Sequence, residues 1–269
     1  TDLNVAKLLA QNLEQTNRER KEIQEETFLE ADLLIRNELD IKKEKVIVLA
    51  SENFHQGVIG IAASKIVDKY HRPVVLIALK DGVGKGSGRS IPKFNLFKSF
   101  KECSSHLIQF GGHAYAAGLS VDEEKIDAFR DAMRIVGHRV LKDEDLIPEV
   151  SIDLILDISQ INFELYKNIS LLEPFGAENP VPAFQSSSVK IRNLKLIGKE
   201  KKHARFLAVQ GSGKIEVVAF NFAQILEALD TLNEIFDIVY ELHLNSWNGR
   251  EKLELRLMDI SLANADLNL

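Results

Sequence analysis

Cysteine is almost absent from this sequence. A single Cys103 among 269 residues excludes an internal disulfide framework and fits a reducing, cytoplasmic setting. No apolar run approaches the roughly 18 residues of a membrane-spanning helix, and the opening residues do not read as a secretory leader. Histidine occurs seven times. No two are adjacent, and none stands beside Asp or Glu at metal-ligand spacing, so no metal site is legible. Excess positive charge is missing too. Lys and Arg number 34 against 40 Asp and Glu, for a net charge of −6. That argues weakly against a nucleic-acid binder, but local distribution decides such matters. There is no internal repeat and no low-complexity segment. What remains, 45% hydrophobic and 28% charged residues, suits a globular chain of two ordinary domains.

The chain divides by periodicity. Asp2 is placed to cap an opening helix. Ile23, Thr27, Ala31, Ile35 and Leu39 then recur every fourth residue, which predicts a long amphipathic helix. Short apolar runs at 46–50 and 74–79 read as buried strands, joined by a helix over 57–70. This pattern predicts an α/β unit with a sheet covered on both faces. A helix over 95–109 would bury Leu96, Phe100, Cys103 and Leu107. Asp122 would cap another, carrying Ile126, Phe129, Met133, Val136 and Val140. Cys103 therefore reads as a structural thiol.

A charged segment ending in Pro148 marks a boundary, beyond which the period shifts to two. Candidate strands lie at 189–197, 204–209, 215–220, 238–245 and 253–258, with a helix over 221–229 between the third and fourth. The apolar phase slips between Ile191 and Leu194, which predicts a bulge near Asn193. Asn248-Gly249 predicts a tight hairpin. Five strands with a helix between the third and fourth match an OB-fold. A strand and helix within 153–173 would lead into it.

Two glycine-rich stretches carry candidate chemistry. In Phe110-Gly111-Gly112-His113-Ala114-Tyr115-Ala116-Ala117-Gly118, bare backbone beside an imidazole suits an oxyanion. It also suits a tight turn around a structural histidine. In Asp81-Gly82-Val83-Gly84-Lys85-Gly86-Ser87-Gly88-Arg89-Ser90, Lys85 and Arg89 are cations, and Ser87 and Ser90 are small donors that suit a phosphate. The alternative is a flexible surface loop. Neither a Walker A loop nor a dinucleotide fingerprint fits, because the glycine spacing fails both.

Together with His55-Gln56-Gly57-Val58-Ile59-Gly60-Ile61-Ala62-Ala63-Ser64 and His71-Arg72-Pro73, these stretches resemble the DHHA1 domain of the RecJ single-strand-specific exonucleases. Downstream, 172–184 resembles the RecJ segment entering its OB domain, and the helix with Asn17-Arg18-Glu19-Arg20 resembles the RecJ connector helix. One departure is Phe54, where many relatives have Trp. The resemblance implies a connector helix over 1–44, a DHHA1 domain over 45–147 and an OB-fold domain over 148–269. It implies that His113, Gly111, Gly112, Ser87 and Arg89 face substrate phosphates, with Lys85, Ser90 and His55 nearby. His71, His106, His138 and His243 are read as structural.

The region 188–205 holds Lys190, Arg192, Lys195, Lys199, Lys201, Lys202 and Arg205 against Glu200, a local charge of +6. It falls on the first two OB strands and their loop, where OB-folds bind oligonucleotides. Trp247, with Arg250 close by, is the best candidate for stacking an unpaired base, ahead of Phe206 and Phe222. His203 is read as structural, or as one more member of this patch.

No His-His pair is present, although the wider superfamily is named for an Asp-His-His motif that holds its metals. The chain also begins at Thr1. It is therefore expected to be the C-terminal part of a longer 5′-to-3′ single-stranded-DNA exonuclease of repair and recombination, inactive alone. Manganese or magnesium would sit in a DHH domain elsewhere, and this chain itself would bind no metal. The expected partners are single-stranded DNA, that DHH domain, and a single-strand-binding protein or helicase; no membrane is involved. Alternatives are a phosphodiesterase of oligonucleotides or cyclic dinucleotides, and a non-catalytic nucleic-acid-binding scaffold.

Overall fold

A computed structural model describes residues 2–176, 178–229, 231 and 233–263, the side chain of Trp247 excepted. The chain separates into two compact units, Thr1–Pro148 and Glu149–Leu269.

The first unit opens with α1 (Leu3–Glu38), capped by the Asp2 carboxylate, which accepts from the Asn4 N–H at 2.9 Å. Only its later turns are buried, through Thr27, Ala31 and Ile35, as the four-residue spacing predicts. Next come β1 (Ile47–Ser51), α2 (Ile59–Tyr70), β2 (Val74–Lys80), β3 (Val83–Arg89), α3 (Leu96–Glu102), β4 (Gln109–Gly112), β5 (Ala116–Asp122) and α4 (Ile126–Val140). The sheet order is β1-β2-β3-β5-β4. The β1–β2 pair is parallel and the rest are antiparallel. Ile47, Leu49, Val74 and Leu76 pack with α1 and α2 on one face. Val48, Val75, Ile77, Leu119 and Val121 pack with α3 and α4 on the other. Phe54 is buried in the first cluster, so the departure at this position is accommodated as core. Arg72 ties the unit together by donating to the carbonyls of Glu44, Tyr70 and Leu146 at 3.0–3.1 Å.

Three expectations are corrected here. The glycine stretch is not a loop: it is the central strand β3, seven residues paired on both edges. Its period of two is a strand period. A Cβ at Gly84 would lie 2.5 Å from Ile77, and one at Gly86 would lie 2.7 Å from Leu119. Neighbouring core side chains therefore fill the space where β3 has none. The helix beginning at Leu96 is also shorter than the periodicity suggests. It ends at Glu102, a short 3-10 turn covers Ser104–His106, and the chain is extended from Leu107. The Ile108 N–H goes instead to the Ser120 carbonyl at 2.9 Å, so sheet pairing overrides the helical pattern. Finally, Asp122 precedes a 3-10 turn and makes no side-chain cap bond. Its carboxylate pairs with Lys125 at 3.5 Å.

The second unit contains β6 (Leu154–Ile155), α5 (Phe163–Ser170), β7 (Ala183–Ile197), β8 (His203–Gln210), β9 (Gly213–Ala219), α6 (Ala223–Ala228), β10 (Phe236–Trp247) and β11 (Arg250–Leu262). The five long strands close into a barrel through β10–β7 pairing, the OB-fold that the strand count predicts. The bulge falls at Asn193, with φ 55° and a register shift between Arg192 and Lys195. Asn248 and Gly249 both have positive φ, 50° and 72°, as a two-residue hairpin requires. Leu165, Tyr166 and Ile169 of α5 rest on the barrel core. Inside, the Ser186 hydroxyl bonds the Leu156 carbonyl at 2.7 Å and the Tyr240 hydroxyl at 2.8 Å. Burial pushes the Tyr240 phenol up to about 12.

Candidate nucleic-acid interface

Strand geometry sends alternate side chains of β3 to opposite faces. The glycine positions 84, 86 and 88 face the α3–α4 core, so Lys85, Ser87 and Arg89 share the α2 face. Register extends this face into rows. Lys85 lies opposite Ser120, which lies opposite Gln109. Ser87 lies opposite Gly118, which lies opposite Gly111. Arg89 lies opposite Ala116. Helix α2 flanks these rows on one side and leaves β5 and β4 open. The result is a cleft of about 560 Å³, lined by Gln56 and Ile59 together with Lys85, Ser87, Gln109, Gly111, Gly118 and Ser120.

Arg89 donates to the Ser87 hydroxyl at 3.1 Å and to the Gly88 carbonyl at 2.8 Å. A Cβ on Gly60 would come within 2.8 Å of its guanidinium and 3.0 Å of the Ser87 hydroxyl. The first turn of α2 thus lies directly against this pair, and its positive dipole end favours an anion there. Lys85 donates to Ser120 at 2.8 Å, and Gln109 donates to the same hydroxyl at 3.3 Å. Among the described residues neither Lys85 nor Arg89 has a carboxylate partner.

The glycines of the second motif differ in kind. Gly112 has φ 136°, and a Cβ there would sit 2.5 Å from the Ala116 carbonyl oxygen, so the turn itself demands glycine. A Cβ on Gly111 would meet nothing within 4 Å, and one on Gly118 only the Gly86 carbonyl oxygen at 3.6 Å. No packing within the unit requires those two to be bare, and their open floor suits close approach by a ligand.

The sequence candidates thus divide. Lys85, Ser87, Arg89 and Gly111 come together on one face. His113 lies in the exposed turn beyond β4; its N–H donates to the Ala116 carbonyl at 2.8 Å, beside the Arg89 row. Ser90 turns away, its hydroxyl donating to the Phe94 carbonyl at 2.6 Å. The His55 imidazole accepts from the Gly57 N–H at 3.1 Å and so orders the turn into α2. Cys103 is buried, and desolvation pushes its thiol up to about 11, as for a structural residue. Gln56, Gly60, Gln109 and Ser120 were not singled out from sequence. Gly60 had a signal, its place in the Gly-Val-Ile-Gly run. Ser120 and Gln109 join the cleft only through strand register.

On the barrel, Lys190, Arg192, Lys195 and Arg205 project from the outer face of β7 and β8, opposite the buried Ile191, Ala204 and Phe206. Their charge is not all available. Arg205 pairs with Glu216 at 3.3 Å and lies 3.9 Å from Glu254, and Lys202 pairs with Glu200. Lys190, Arg192, Lys195, Lys199 and Lys201 are exposed, with no carboxylate partner among the described residues. Phe206 is 1% exposed in the core, which removes it as a stacking surface, and Phe222 packs against that core. His203 accepts from the Asn221 N–H at 3.0 Å and meets Phe220 edge-on at 5.4 Å. Phe220 itself is exposed, and nothing in the sequence pattern distinguishes it from a core aromatic. Trp247 pairs with Arg250 at the hairpin; its side chain lies outside the described residues. No helix among the described residues is long and apolar enough to cross a membrane.

Comparison with known proteins bears on both units. Residues 43–136 match the model of the DHHA1 domain, and residues 152–259 match that of the RecJ OB domain. The single-stranded-DNA-specific exonuclease RecJ of Bacillus subtilis is 32% identical over 97% of this chain and 33% of its own length. That of Haemophilus influenzae is 32% identical over 94% of this chain and 45% of its own. The crystal structure of RecJ from Thermus thermophilus in complex with Mn2+ superposes with a TM-score of 0.76 at 26% identity, covering 97% of this chain and 37% of that one. The chain thus spans between a third and a half of the length of these relatives.

Proposed function

The chain belongs to the RecJ family of single-stranded-DNA-specific exonucleases, and on that premise we propose that it is the substrate-gripping part of such an enzyme. The whole enzyme would hydrolyse single-stranded DNA from the 5′ end in repair and recombination. The observation that carries this reading is the alignment of Lys85, Ser87 and Arg89 along one face of β3 beside the bare floor at Gly111 and Gly118, with no carboxylate partner for either cation among the described residues. The planar Arg89 fork takes two phosphate oxygens. Ser87 adds a hydroxyl and the first turn of α2 its positive dipole end, and His113 stands in the turn beside the Arg89 row.

Bond cleavage belongs, on this reading, to the manganese- or magnesium-dependent DHH domain of the family. Among the described residues no three His, Cys, Asp or Glu side chains converge as metal ligands. The cleft presents Lys85, Arg89, Gln109 and serine hydroxyls, donors that suit an anion and not a metal cation. The chain alone is expected to bind without cutting. Lys190, Arg192, Lys195, Lys199 and Lys201, with Arg250 at the hairpin, give the second unit a salt-dependent grip of its own on single-stranded DNA. The further partners expected are the DHH domain and a single-strand-binding protein or helicase.

The test is fluorescence anisotropy of this chain with a 5′-phosphorylated single strand and with a duplex across a salt series, with DNA integrity checked on a gel. Salt-sensitive preference for the single strand, with the DNA intact, is the expected result. Equal affinity for duplex, or no binding at any salt, overturns the reading.

A further inference from the structure

The cleft contains a second polar cluster separate from the Arg89–Ser87 pair. Lys85, Ser120 and Gln109 form one row across three strands, two residues along β3 from Ser87 and four from Arg89. Its chemistry is unusual for a surface lysine. A free lysine moves in solvent or pairs with a carboxylate. The Lys85 ammonium instead lies on the Ser120 hydroxyl at 2.8 Å. That hydroxyl belongs to a residue only 3% exposed and also receives the Gln109 amide at 3.3 Å. Ordering a lysine this way has an entropic cost that a neutral partner repays poorly. The charge rests on a neutral hydroxyl and has no carboxylate partner among the described residues, an arrangement that suits an anion.

We propose that Lys85, Ser120 and Gln109 form a second phosphate subsite, which takes a phosphate further along the same strand from the one held at Arg89 and Ser87. This rests on the functional reading above. Four residues of strand place Lys85 about 13 Å from Arg89. A nucleic-acid strand advances at least about 3.4 Å per nucleotide when stacked, and more when drawn out. A strand drawn out to about one and a half to two times the stacked spacing therefore covers the gap in about two to three steps. The intervening sugar-phosphate lies over the floor at Gly118 and Gly111, where a Cβ at either position would have no side chain of the unit within 4 Å. The Lys85 ammonium and the remaining Gln109 amide hydrogen supply the donors. Chain length then becomes a determinant of affinity: a ligand with one phosphate occupies only the Arg89 subsite, and a ligand with three or four occupies both.

The experiment measures affinity of the intact chain for 5′-phosphorylated deoxynucleotides of one, two, three and four residues by titration calorimetry. It compares the unaltered protein with Lys85→Ala, Gln109→Ala and Arg89→Ala, with thermal melts confirming the fold. The loss on Lys85→Ala should grow with length, from less than about twofold for the mononucleotide to about tenfold for the tetranucleotide. Gln109→Ala should follow the same trend more weakly, and Lys85→Arg should restore most of the long-ligand affinity. Arg89→Ala should weaken every length. A Lys85→Ala loss that is equal at all lengths, or absent at all lengths, overturns the second subsite and leaves the functional reading intact. Failure of the unaltered chain to bind any length overturns that reading, and the subsite with it.

Discussion

Arg89 and Arg205 both leave a β-strand onto a polar face, yet the surroundings give them opposite roles. Arg89 is held by a hydroxyl and a carbonyl against the first turn of α2, with no carboxylate partner among the described residues. Arg205 lies between Glu216 and Glu254, at 3.3 and 3.9 Å, and its buried Nε has no hydrogen-bond partner. On the proposed reading the first arginine is kept for a phosphate. The second joins β8 to β9 and β11, which contribute those carboxylates. A count of charges along the sequence gives both the same weight. Register separates them, because Glu216 and Glu254 are distant in sequence and adjacent in the sheet.

The sharpest way to break this contrast is to truncate each arginine. Arg89→Ala removes a charge-assisted grip worth about 1.5–3 kcal/mol. Binding of a 5′-phosphorylated single strand should weaken roughly 10- to 100-fold, with the melt unchanged. Arg205→Ala should do the reverse, because Glu254 is only 6% exposed and loses a cation. Chemical denaturation should show about 1–2 kcal/mol of lost stability, and affinity should fall less than about threefold. If both substitutions act mainly on affinity, the contrast fails.

The two faces of β3 make the same point within one strand. Gly86→Val places a side chain where Leu119 already lies, 2.7 Å from the new Cβ, and overpacking of this kind costs about 1–3 kcal/mol. Gly118→Ala meets only a carbonyl oxygen at 3.6 Å, so the melt should stay within about 2 °C of the parent. Single-strand affinity should nonetheless fall several-fold, because the added methyl raises the cleft floor. Loss of stability in Gly118→Ala, with binding intact, would remove the argument that the floor is bare for a ligand.

How far the sequence could be read follows from the same physics. The second unit was legible because its strands announce themselves by apolar alternation, by the phase slip at Asn193 and by Asn248-Gly249. The first unit hid its central strand. Gly84, Gly86 and Gly88 have the period of a strand but supply no hydrophobic signal, and glycine ordinarily weakens a strand. The buried side chains on that face come from Ile77, Leu119, Leu96 and Phe100, none of them neighbours in sequence. Arg89 and Ser87 could be read from their motif. Ser120 and Gln109 could not, because only strand pairing brings them to Lys85.

The smallest expected effect separates two lysines of the barrel patch. Lys202 pairs with Glu200 and holds that carboxyl below the usual carboxylate range, whereas exposed Lys195 has no carboxylate partner among the described residues. A cation that neutralises a phosphate releases condensed counterions, which adds about 0.7 per contact to the salt slope of single-strand binding. Lys195→Ala should therefore flatten that slope by about 0.7 if β7 tracks the strand. Lys202→Ala leaves Glu200 unpaired on the surface. It should lower affinity slightly through repulsion while changing the slope by less than about half as much. Anisotropy titrations at four or more salt concentrations resolve the difference. Equal slope changes would mean that the Glu200 pair opens when DNA arrives. The carboxylates of the barrel would then be gates on its cations and not fixed partners, and the distinction drawn from Arg205 would hold only for the free protein.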